Sequence, residues 1–111
     1  MAKGEHLSEF ENMVLLALIR RGEVGYGMQL RREIEQTSGR TTSIGTVYST
    51  LERMQDKALV SSWHEAPDPV RGGRPRRFFR IERAGLEALQ RTKAQLDSMW
   101  AGVRIDLEEA N

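Results

Sequence analysis

The hydrophobic pattern leaves the helical period at one place along this chain, and that place limits the folds open to it. Up to Met54 the apolar residues recur at helical intervals. Then "ALVSSWHE" (58–65) and "RRFFRI" (76–81) bring β-branched and aromatic residues together in short runs, separated by "APDPVRGGRP". This predicts helices followed by a two-stranded hairpin, and a hairpin loop of about ten residues exceeds the usual two to five. After Ile81 the helical period returns without a proline to the end of the chain.

The helical segments carry their own punctuation. Ser8 and Glu11 stand at capping-box spacing, Phe10, Met13, Val14, Ala17 and Leu18 follow on one face, and Gly22 stops the run. A second helix is expected from the "GYG" at 25–27, with Tyr26, Leu30 and Ile34 four apart and Gly39 as its stop. The "GYG" lacks the third glycine and preceding strand of a dinucleotide loop, so it reads as a tight helix start. A third helix starts at Ser43, a good N-cap, with Ile44, Val47, Leu51, Met54 and Ala58 along one stripe. Its other face offers Thr46, Ser49, Glu52 and Arg53, with Tyr48 beside the stripe. From Glu82 onward one long amphipathic helix is expected, because Leu89, Leu96 and Val103 repeat every seven residues, as do Leu86, Lys93, Trp100 and Leu107.

Composition excludes several functions. With no cysteine and two histidines, His6 and His64, the chain has neither disulfides nor the ligands of a cysteine or multi-histidine metal site. No cofactor is expected, and no nucleophile–base pair supports catalysis, so an enzyme is not expected. The longest apolar run, Met13 to Ile19, is too short to cross a bilayer and no leader pattern opens the chain, so a soluble cytoplasmic protein is expected, with no membrane partner. At 111 residues the chain is long enough for one small globular domain, and the apolar stripe after Glu82 exceeds what such a domain covers. A second copy is the simplest cover, with Leu89, Leu96, Met99, Trp100, Val103 and Leu107 on the seam.

The formal net charge is +1, yet Arg71, Arg74, Arg76, Arg77 and Arg80 gather in "VRGGRPRRFFR" without an acid among them. An amphipathic helix followed by a basic hairpin is the order of a winged helix-turn-helix: the major groove admits one helix, and a basic loop beside it can follow phosphates or enter the minor groove. The expectation is a mainly α (α+β) fold, with a winged helix-turn-helix DNA-binding domain over residues 1–81 and a dimerisation helix over 82–111. Ser43, Thr46, Tyr48, Ser49 and Arg53 would meet double-stranded DNA from the third helix, and Arg71, Gly73, Arg74 and Arg76 from the wing. A solvated basic loop and an ordinary surface helix remain the plainer alternatives, and the runner-up function is a module docking an acidic protein. Trp63 and Trp100 read as packing residues at the hairpin and the seam, or as walls for a planar apolar ligand. His64, without a partner in the sequence, reads as structural.

The blocks "GYGMQLRREIEQTSG", "SIGTVYSTLERMQDKALVSS" and "GGRPRRFFRIERAGLEAL" resemble the signature regions of PadR-like transcriptional regulators, in the same order. The resemblance implies a homodimeric winged-helix repressor whose C-terminal helix makes the dimer contacts, in the smaller subgroup with a single such helix. Some members of that subgroup bind flat aromatic compounds at the dimer interface against a C-terminal-helix tryptophan. Here the helix carries Trp100, while Leu96 stands where a gap-free reading from Gly85 puts the stacking ring. A small-molecule effector at the interface therefore stays an open expectation.

Overall fold

A computed structural model of the chain describes residues 6–67, 69–70 and 72–108. In order it contains α1 (Glu9–Arg20), β1 (Val24–Tyr26), α2 (Gly27–Ser38), α3 (Ile44–Asp56), β2 (Val60–His64), β3 (Arg77–Ile81) and α4 (Arg83–Trp100). The elements form a winged helix, with α1 to α3 packed on one face of a three-stranded antiparallel sheet in the order β1-β3-β2.

The caps act as their spacing predicts. The Ser8 hydroxyl accepts from the Glu11 amide at 3.1 Å, and the Glu11 carboxylate accepts from the Ser8 amide at 2.8 Å, so two orphan donors of α1 are satisfied. Val14, Leu15, Ala17 and Leu18 then face the core, with Phe10 and Met13 at its edge. Gly39 closes α2 with a left-handed φ of 77°, and Leu30 and Ile34 are buried. At α3 the Ser43 hydroxyl accepts from the Thr46 amide, and Val47, Leu51 and Met54 enter the core together with Thr50.

Three expectations change. First, the residues read as a helix-start turn include a strand: Val24, Gly25 and Tyr26 pair with Arg80, Phe79 and Phe78. Three residues are too few to display a period, and the pairing depends on β3, more than fifty positions away. Second, Ala58 does not continue the stripe of α3. The helix ends at Asp56, Ala58 turns to a φ of 62° in the open, and Leu59 takes the buried place. Third, the helix expected over 82–111, of which 109–111 lie outside the described residues, forms over Arg83–Trp100; Ala101 leaves helical geometry and Gly102 adopts a φ of 76°, so Val103 and Leu107 lie beyond its end. Glycine tolerates that left-handed turn, and the heptad spacing of its neighbours does not oppose it.

The wing strands pair from Val60↔Ile81 to His64↔Arg77. Phe79, Val60 and Ile81 point into the core. On the outer face Tyr26, Phe78 and Trp63 form a cross-strand row, with Trp63 stacked on Phe78 at 6.1 Å. Trp63 therefore packs on the outside of the sheet, under Arg80 at 5.2 Å, and stays partly exposed. The first turns of α4 belong to the same core: Gly85, Ala88 and Leu89 are buried, while the rest of the helix runs out into solvent.

Candidate nucleic-acid interface

On α3 the small polar residues other than the buried Thr50 face outward. Ser43, Gly45, Thr46 and Ser49 are all exposed. The Ser43 and Thr46 hydroxyls lie 2.9 Å apart, and the Ser49 hydroxyl donates to the Thr46 carbonyl at 3.1 Å. Each hydroxyl keeps unused donor or acceptor capacity for a ligand. Tyr48 differs. Its ring lies against Gly27, where a Cβ would stand 2.6 Å from the ring, and packs near Phe79 at 6.2 Å, so it joins α3 to the start of α2. Arg53, at the far end of the helix, leans toward α1, its Nε 3.6 Å from a Glu11 oxygen that Lys57 also approaches to 3.3 Å.

The wing loop, residues 65–76, turns on Gly72 and Gly73 with φ of 70° and 72°. Arg74 is exposed beside them; Arg71 lies outside the described residues. Arg76 sits at the base of the loop. Its amide and Nε donate to one Glu65 oxygen at 2.7 and 3.1 Å, its terminal nitrogen to the other at 3.3 Å, and its guanidinium covers the Tyr26 ring at 4.8 Å. The hydrogen bonds to Glu65 raise its pKa above the ordinary guanidinium value. Arg77 grips Glu52 of α3 in a fork of 2.6 and 3.2 Å, donates to Ser62 and lies over the Phe79 ring at 4.7 Å. That hydrogen bond holds the Glu52 carboxyl below its usual range. The basic run thus has two parts: a tip around Gly72–Arg74, and a base where Arg76 ties the loop to Glu65 and Tyr26 while Arg77 fixes the wing to α3. Sequence reasoning missed the part played by Arg77, because its partners are distant in the chain and no local spacing signals them.

Elsewhere on the surface, α1 and α4 border an apolar groove of about 1190 Å³. Leu16 and Ile19 line one side and Leu86, Leu96, Met99 and Trp100 the other. Leu96 and Trp100 are more than half exposed, and Met99 is 75% exposed. Leu89 is already largely buried within the chain. Among the described residues, no group of three or more histidines or acids is placed to hold a metal ion, and no helix is long and apolar enough to cross a membrane.

A helix with a small polar outer face, clamped beside a loop of glycine and arginine, suits duplex DNA. The sequence profile described as the Transcriptional regulator PadR-like family matches residues 15–91, from the middle of α1 through the wing into α4. This chain belongs to the PadR-like family. The PadR-like chain is therefore a winged-helix, DNA-binding transcriptional regulator, from a family of regulators rather than enzymes. A PadR family transcriptional regulator from Eggerthella lenta shares 27% identity, with a TM-score of 0.67 over 93% of this chain and 88% of the other. A PadR-like transcriptional regulator from Bacillus cereus is 24% identical, with a TM-score of 0.67 over 92% and 93%. The winged-helix DNA-binding protein F93 from STIV shares the fold at 13% identity, with a TM-score of 0.69 over 90% and 100%. No curated protein matches the PadR-like sequence.

Proposed function

We propose that this PadR-like regulator is a homodimeric cytoplasmic repressor that binds an inverted-repeat operator. Residues 1–81 read DNA and residues 82–111 carry the dimer contacts. The observation that carries this reading is the exposed polar face of α3, held to the wing by the Arg77–Glu52 fork. Ser43, Thr46 and Ser49 meet the major groove, Tyr48 fixes the helix and offers its hydroxyl at the rim, and Arg53 reaches a flanking phosphate. Arg71, Gly73 and Arg74 follow the backbone from the wing, while Arg76 holds the loop and presents its exposed edge. Two copies joined through the α1–α4 groove, on Leu96, Met99 and Trp100, place two α3 helices on half-sites about one helical turn apart. The groove's apolar walls also suit a small-molecule effector at that seam, which would relieve repression by shifting the two reading heads.

Salt and a wing variant test this. With about three phosphates neutralised per protomer, the slope of log affinity against log salt is about −5. Arg74→Ala should weaken binding to all duplexes alike and flatten that slope, since a phosphate contact positions without specifying. A slope near zero in the wild-type protein would contradict the proposal.

A further inference from the structure

Gly45 lies in the first turn of α3, exposed, with Ser43 and Thr46 beside it. A glycine inside a helix is destabilising relative to alanine, since it forfeits more backbone entropy on folding. Every other described glycine has a use within the chain. Five adopt left-handed φ between 70° and 89°, and Gly25, Gly27 and Gly85 each lie where a Cβ would come within 3.1 Å of another atom. Gly45 has neither reason. Its φ is not positive, and the nearest atom to a Cβ built there is the Ser43 hydroxyl oxygen at 3.9 Å. At 100° per residue Gly45 and Ser49 project opposite the buried Val47, Leu51 and Met54, so the bare Cα stands at the outermost line of the helix.

We propose that Gly45 is a DNA-contact position, kept without a side chain so that the first turn of α3 can seat against the duplex. The inference rests on α3 being the groove-entering helix. A methyl group at this place costs the folded chain nothing and holds the helix away from the DNA, moving Thr46 and Ser49 out of reach of the groove.

The test compares wild-type protein with Gly45→Ala and Gly45→Leu, using duplexes that the wild-type protein selects from a random pool. Melting temperature and dimer content are measured beside affinity. The expected result is a melting temperature for Gly45→Ala at or above wild type, with affinity reduced at least about fivefold, the lower end of the loss from one faulty contact in a specific site, and reduced further for Gly45→Leu. A smaller loss for Gly45→Ala, or a fall in its melting temperature, would overturn the inference while leaving α3 as the reading helix. If the wild-type protein selects no duplex at all, the function proposed above fails, and this inference with it.

Discussion

Glu11 joins two parts of the molecule through one buried carboxylate. It closes the capping box of α1 on the Ser8 amide and receives Lys57 and Arg53 from the end of α3. Burial pushes its carboxyl up, but the Ser8 amide and the two cations outweigh this, and the net pKa lies below the ordinary 4.5. A depressed folded pKa adds stability that is present above the unfolded value and lost as pH falls through the folded one. The melting temperature should therefore drop as pH is lowered below about 4.5. Glu11→Gln should lose about 1–3 kcal/mol at neutral pH and show a shallower acid decline; an unchanged acid profile in a thermal melt series would show that Glu11 is not a source of the sensitivity. Half of this arrangement was legible beforehand. Ser8 and Glu11 announce the cap by spacing, whereas Lys57 and Arg53 meet Glu11 only after α3 has folded across α1.

Elements whose instructions are local were readable, and those defined by a distant partner were not. The stripes of α1, α2 and α3, apart from Tyr26 and Ala58 at their ends, and the stops at Gly22 and Gly39 follow from spacing alone. The strand β1 does not, since its three residues gain their hydrogen bonds from β3. The end of α4 was missed because a heptad pattern records which residues are apolar, while Gly102 decides where the helix stops. In the wing the sequence shows five arginines but not the acids that take two of them, Glu65 for Arg76 and Glu52 for Arg77. The join between sheet and α4 is equally hidden: a Cβ on Gly85 would stand 2.5 Å from the Leu59 carbonyl oxygen and 2.8 Å from Ile81 Cγ1. Because the first contact is backbone, Gly85→Ala must shift α4, and the expected cost is about 1–3 kcal/mol of folding stability. Chemical denaturation measures it, and a variant as stable as wild type would show that α4 moves freely on the sheet.

At the scale of the whole molecule, the proposed reading face on α3 and the proposed dimer seam on α1 and α4 are built on one small core. Gly85, Ala88 and Leu89 root α4 in that core, and Leu96, Met99 and Trp100 leave it with an apolar face uncovered. A charge placed there should stop association without unfolding the domain. Leu96→Asp or Trp100→Asp is expected to yield monomers in analytical ultracentrifugation at micromolar concentration, and to weaken operator binding in parallel; dimers of normal stability would move the interface elsewhere. The central claim, a two-fold-symmetric reader of duplex DNA, is tested most directly by selecting bound duplexes from a random pool with the purified protein at two salt concentrations. An inverted-repeat motif whose recovery falls as salt rises is expected, and a folded, dimeric protein that enriches no motif, or an asymmetric one insensitive to salt, would contradict two-fold reading of DNA.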